Sequence, residues 1–153
     1  MPQYRNEWKY FISRWEAEDL KRRLEPFLEP DPHAKGGVYT IRSLYFDNYW
    51  NSAYEEKMMG VAARQKWRIR IYNYSDSRIL LERKKKWGSS IHKDSAILTR
   101  EEYERLMAGE YEFLLGHPDP LCREFYYECM VNLWRPKVIV DYEREPLIQD
   151  EGT

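Results

Sequence analysis

The chain is poor in features that usually announce a function. It has two cysteines in 153 residues, Cys122 and Cys129, and no CxxC pair. That excludes a disulfide scaffold and a cysteine zinc site, and fits buried free thiols in a reducing compartment. Its three histidines, His33, His92 and His117, are scattered and make no metal motif. No apolar run approaches the ~18 residues of a membrane span, and the N-terminus has no apolar signal segment. These absences predict a soluble, cytoplasmic protein. Excess charge of one sign is also missing: 25 basic residues face 26 acidic ones, for a net charge of −1. Global charge therefore selects no anionic partner, and any anion site must come from local segregation of the basic residues.

Charge and aromatics are both abundant. A third of the residues are charged and 16% are aromatic. Disordered chains are poor in aromatics, so a folded domain is expected. There is no repeat and no low-complexity linker, which predicts one domain over residues 1–153.

Punctuation divides the chain into alternating strands and helices. Residues 4–12 alternate and predict a strand. Ser13, with Glu16 three residues on, opens a helix through a capping box; the helix is expected to run to Leu28 and stop at Pro30 and Pro32. Strand 38–47 follows Gly36-Gly37, and a helix over 49–59 stops at Gly60. Residues 64–74 form the clearest strand. Ser75-Asp76-Ser77 predicts a turn into strand 78–86, and Trp87-Gly88 a turn into 89–97. Thr99 and Glu102 cap a helix that ends at Gly109. Residues 120–134 predict a mostly buried helix, and 136–143 a last strand. Strands joined by short turns predict antiparallel pairing in an α+β fold.

The informative pattern is where charges fall on the strands. Side chains alternate faces along a strand. Lys66, Arg68 and Arg70 therefore share one face, and Trp67, Ile69 and Ile71 the other. Glu82, Lys84 and Lys86 share a face of the next strand, Lys93 is their expected counterpart beyond Gly88, and Glu7 and Lys9 share a face near the N-terminus. An ordinary one-sided sheet would also alternate, with its charges in solvent. Here the charged rows are mainly basic and recur on several strands, while the Trp/Ile face is available for helices. A basic face opposite helices would line a cationic lumen that needs a highly charged anion. Phosphate chains meet that need, and arginine forks suit their oxygens. Tyr45, Phe46, Tyr126 and Tyr127 are expected as core aromatics rather than base-stacking platforms. A nucleic-acid partner is not expected.

Several segments together resemble the vacuolar transporter chaperone branch of the triphosphate tunnel metalloenzymes, the polyphosphate polymerases. They are Glu7-Trp8-Lys9, Ser43-Leu44-Tyr45-Phe46-Asp47, Trp67-Arg68-Ile69-Arg70, Leu81-Glu82-Arg83-Lys84, and Arg135-Pro136 with Asp141-Tyr142-Glu143-Arg144. The resemblance implies an antiparallel β-barrel, the triphosphate tunnel, with helices packed outside. It implies transfer of the ATP γ-phosphate to a growing polyphosphate chain, with Mn²⁺ or Mg²⁺. Lys9, Arg68, Arg70 and Lys84 would form the catalytic set, and Lys66, Lys93, Tyr142 and Arg144 would bind phosphate. Glu7 and Glu82 are possible metal carboxylates. Arg5 stands where the wider superfamily has a further Glu, which favours the polymerase branch over cyclases and triphosphatases. The family's domain continues with strands that carry another Arg, a metal-binding Glu and a Lys, so the resemblance implies an incomplete barrel here. From this follow three expectations: open edges that invite a dimer, no polymerase activity from this chain alone, and, as alternatives, a non-catalytic polyphosphate-binding module or a tunnel triphosphatase.

Overall fold

The computed structural model describes residues 8–32 and 34–149. Their elements follow in the order α1 (Arg14–Leu24), β1 (Glu29–Pro30), β2 (Tyr39–Asp47), α2 (Ser52–Met58), β3 (Ala63–Tyr72), β4 (Ser75–Trp87), β5 (Ser90–Leu98), α3 (Arg100–Met107), α4 (Glu112–Leu115), α5 (Pro120–Met130), β6 (Arg135–Arg144) and β7 (Leu147–Ile148). The main sheet is antiparallel throughout, with five strands in the order β5-β4-β3-β2-β6. β1 and β7 form a separate two-residue pair. The α+β class is as expected. The main sheet is open, bounded by β5 and β6, and the described strands do not close a barrel.

The two capping boxes form. Ser13 and Glu16 open α1, and Thr99 and Glu102 open α3, each side chain bonding the other residue's backbone N–H. This satisfies donors that the first helical turn leaves without partners. α1 stops at Leu24, earlier than expected. Pro26 lacks the N–H needed to continue the ladder, so the break comes before Pro30.

Three expectations need correction. The strand over 4–12 is absent from its described part: residues 8–13 carry no regular structure, and Trp8, Tyr10 and Phe11 are exposed. Alternation gives a segment two faces but no ladder partner, and neither open edge of the sheet pairs with residues 8–12. Residues 4–7, including Glu7, lie outside the described residues. The second correction concerns the β3–β4 turn, which falls at Asn73-Tyr74 and not at Ser75-Asp76-Ser77. Both residues have positive φ, 51° and 54°, as in the two-residue hairpin turns whose twist matches the strands. The Asn73 amide NH donates to the Thr40 carbonyl at 2.8 Å, and its side-chain oxygen accepts from the Thr40 N–H at 3.0 Å. Asn73 thus ties the hairpin to β2. Third, Tyr127 is exposed and not a core aromatic.

The core lies on one face of the sheet. Trp67, Ile69, Leu81, Ala96 and Leu98 are buried there against Leu106 of α3, Leu114 of α4 and Phe125 of α5. The Phe125 ring packs 4.8 Å from Trp67 and 5.0 Å from Phe46, centroid to centroid. Cys122 and Cys129 are buried free thiols in α5, and burial pushes both up to about 12. Each large side chain buried here contributes roughly 1.5–3 kcal/mol of transfer free energy. The helices are thus fixed to the Trp/Ile face, and the opposite face is left for the charged rows.

Candidate phosphate-chain site

Register decides which charges meet. Paired residues in an antiparallel ladder project to the same face. β2–β3 pairing sets Ser43 opposite Arg70 and Tyr45 opposite Arg68. β3–β4 pairing sets Lys66 opposite Lys84 and Arg68 opposite Glu82, and β4–β5 pairing sets Lys84 opposite Lys93. β6 adds Tyr142 opposite Ile41 and Arg144 opposite Tyr39. Lys66, Arg68, Arg70, Glu82, Lys84, Lys93, Tyr142 and Arg144 therefore occupy one face, opposite the helix-packed core.

Glu82 sits at the centre and is wholly buried. Its Oε2 accepts from Arg68 Nε at 2.7 Å and lies 3.7 Å from Arg70 Nη1; its Oε1 is 2.5 Å from Lys93 Nζ. Burial alone would push its carboxyl up. The Lys93 ammonium and the two guanidiniums outweigh burial and hold it below the usual glutamate range. Hydroxyls orient the same arginines. Arg68 Nη1 donates to the Tyr45 hydroxyl at 3.2 Å, Arg70 Nε to Ser43 Oγ at 3.2 Å, and Arg70 Nη2 to the Tyr142 hydroxyl at 3.2 Å. Arg144 lies over the Tyr142 ring at 5.8 Å and reaches the Tyr39 hydroxyl at 3.5 Å.

At one end of this face the cations crowd one another. Lys66 is half-buried, and its ammonium is pushed down to about 8, first by burial and then by Lys57, Arg64, Lys84 and Lys9. Lys9 thus lies within electrostatic reach of the cluster although its segment is not a strand. A cavity of about 610 Å³ opens here, lined among others by Lys57, Lys66, Lys137, Tyr45 and Tyr54. Lys57 and Tyr54 belong to α2, whose start is fixed by Asp47. The Asp47 carboxylate accepts from the N–H groups of Asn48, Ala53 and Tyr54 at 2.8, 3.0 and 3.1 Å. The sequence marked Asp47 as part of a motif but gave no sign that it caps the helix bordering the cavity.

Lys57, Lys137, Ser43 and Tyr39 did not figure as site residues in the sequence. Tyr45, expected as a core aromatic, instead meets Arg68 through its hydroxyl. Its facing of Arg68 across β2 and β3 follows from register, which the sequence does not print.

Glu7 and Glu82 were the carboxylates expected to hold a divalent ion. Glu7 lies outside the described residues. Both Glu82 oxygens face cations, which is the wrong charge environment for a metal ligand. Among the described residues no group of three or more His, Cys, Asp or Glu side chains could hold a metal ion.

Residues 4–153 match the family model described as the VTC domain. The chain belongs to the VTC domain family. In the solved structures, its fold is similar to a crystal structure of a protein from Bacillus halodurans described as a "putative adenylate cyclase". That match has a TM-score of 0.60 at 12% identity, and covers 92% of this chain and 65% of the other. At that identity the match carries the fold, and this chain spans just under two thirds of its neighbour. No curated protein matches in sequence. This VTC domain therefore carries the triphosphate-tunnel type of α+β fold, with its cationic rows on the face opposite the helices. No helix of its described residues is long and apolar enough to cross a membrane.

Proposed function

We propose that the cationic face of this VTC domain binds the phosphate chains of ATP and polyphosphate, and that the domain serves a cytoplasmic polyphosphate polymerase. The carrying observation is the convergence of Lys66, Arg68, Arg70, Lys84 and Lys93 on one face by register. Family membership supports the same reading. In the proposed reaction a terminal oxygen of polyphosphate attacks the γ-phosphorus of ATP. The new P–O bond forms as the bond to the β–γ bridging oxygen breaks, and ADP leaves with that oxygen. Such a transfer asks the protein mainly for alignment and charge neutralisation. Arg68 and Arg70, already aimed by hydroxyls, supply forked donors for phosphate oxygens. Lys66, Lys84 and Lys93 supply point charges along the chain. The described residues offer no carboxylate cluster for Mn²⁺ or Mg²⁺, so no step is assigned to a metal here.

A second reading has an observation in its favour. The Glu82 carboxylate is already engaged by Arg68, Arg70 and Lys93, which suits a polyphosphate-binding module without turnover.

Calorimetry with tripolyphosphate and long-chain polyphosphate tests binding, with affinity expected to fall as salt rises. Incubation with ATP and Mn²⁺ or Mg²⁺, of this chain alone and joined to the further strands that the family resemblance implies, followed by gel detection of long phosphate chains, separates the two readings. Binding without synthesis supports the module, and no binding at low salt sinks both.

A further inference from the structure

Among the described residues, Glu82 is the acidic exception on a face that gathers cations. One wholly buried carboxylate lies within 3.7 Å of Arg68, Arg70 and Lys93, and these are the groups proposed to grip phosphate. We infer that Glu82 is a built-in counter-ion that sets a charge threshold for the site, admitting phosphate chains and rejecting single phosphates. The inference rests on the proposed phosphate-chain reading and assigns Glu82 a selectivity role.

The argument is one of competition. Any anion that draws Arg68, Arg70 or Lys93 to itself weakens a buried ion pair, which is costly because Glu82 keeps its charge. Orthophosphate brings its charge to a single point and engages one or two cations. A phosphate chain brings roughly one charge per phosphate and spans several cations along the ladder, so it offsets the disturbance. Lys84 and Lys93 stand directly opposite each other, a like-charge pair that is unfavourable unless an anion lies nearby. In the absence of ligand, Glu82 provides that anion next to Lys93. Specificity arises here from a repulsive element as much as from attraction. The arrangement also explains why Glu82 does not resemble a metal ligand: its oxygens already hold the site's cations.

The test is calorimetry of the full chain with orthophosphate and tripolyphosphate, in wild type and Glu82→Gln. The wild type is expected to prefer tripolyphosphate strongly. In Glu82→Gln, affinity for orthophosphate should rise at least about tenfold, and the preference should shrink by a similar factor. An unchanged preference overturns the inference. If Glu82→Gln does not fold alone, tripolyphosphate added during refolding should rescue it, and Glu82→Asp, which withdraws the carboxylate by one methylene, should show a smaller loss of preference. Failure of rescue together with a wild-type preference in Glu82→Asp also overturns it. A wild type that binds no tripolyphosphate defeats the functional reading itself, whereas binding with intact discrimination in the variants defeats the counter-ion role alone.

Discussion

Arg68 Nε and Glu82 Oε2 stand 2.7 Å apart, paired across the β3–β4 ladder at the centre of the cationic face. Arg68 is thereby held between a carboxylate and the Tyr45 hydroxyl, its guanidinium fixed before any ligand arrives. The double variant Arg68→Ala/Arg70→Ala should lose at least about tenfold in tripolyphosphate affinity, about 1.4 kcal/mol or more. Arg68→Lys should recover little, since an ammonium cannot reproduce the fork. Titration calorimetry with tripolyphosphate decides, and wild-type affinity in the double variant would remove both arginines from the site.

Glu82 also makes stability depend on pH. Its folded-state carboxyl is held below the ordinary glutamate value of 4.5, so its contribution is present above that value and disappears as pH falls through the lowered one. Removing one partner of a buried ion pair costs roughly 3–5 kcal/mol, and Glu82→Gln should be destabilised by that order near neutral pH. The gap between wild type and variant should narrow in acid. Urea unfolding from pH 7 down to pH 3 measures it, and a constant gap would contradict the assignment.

Lys66 gives the same sign in a more alkaline window. Its folded-state value of about 8 lies below the ordinary 10.5, so the folded state holds fewer protons between those values. Stability of the ligand-free protein should therefore rise as pH climbs through that window. A bound phosphate chain restores the charge. Binding at pH 8 should take up as much as about half a proton at Lys66, and affinity should fall as pH rises past 8. Calorimetry in buffers of different ionisation enthalpy reads the uptake directly. Lys66→Arg, charged throughout, should flatten both effects.

Trp67 anchors the opposite face. It is wholly buried against Phe125, and Trp67→Ala should cost roughly 3–5 kcal/mol. Cys122 and Cys129 report the same core. Their thiols, pushed up to about 12, should resist alkylation in the native wild type and react in step with unfolding in the variant. Rapid labelling of the native wild type would show that α5 does not seal this face.

The outer edge of β6 is exposed and apolar at Val138, Ile139 and Val140. Exposed apolar edge strands invite pairing with another chain. We propose self-association through this edge, visible as concentration-dependent sedimentation. Ile139 pairs with Leu44 on the face away from the cationic rows. Ile139→Lys should therefore suppress association and leave tripolyphosphate binding intact. Equal sedimentation of variant and wild type would place any association elsewhere.

The local pattern determined much of this protein. Alternation in Lys66-Trp67-Arg68-Ile69-Arg70 separates cations from core because a strand's side chains must alternate, and the structure keeps that separation along β3; on β4 Arg83 breaks it, buried over the Trp67 ring on the core face. Ser13 with Glu16 and Thr99 with Glu102 mark helix starts because the bonds they make are local. In the described part of the strand expected over 4–12, residues 8–12 form no strand because its partner would not be local: alternation prepares two faces, but only another strand's edge can complete the ladder. Tertiary structure alone decided the rest. Register brought Tyr45 to Arg68 and Ser43 to Arg70, Asp47 reached forward to fix α2 beside the cavity, and Arg68, Arg70 and Lys93 closed around Glu82. A glutamate in a basic strand reads equally well as a metal ligand or a counter-ion. The choice depends on which charges the neighbouring strands bring within hydrogen-bonding distance, and that is a property of pairing across the sheet.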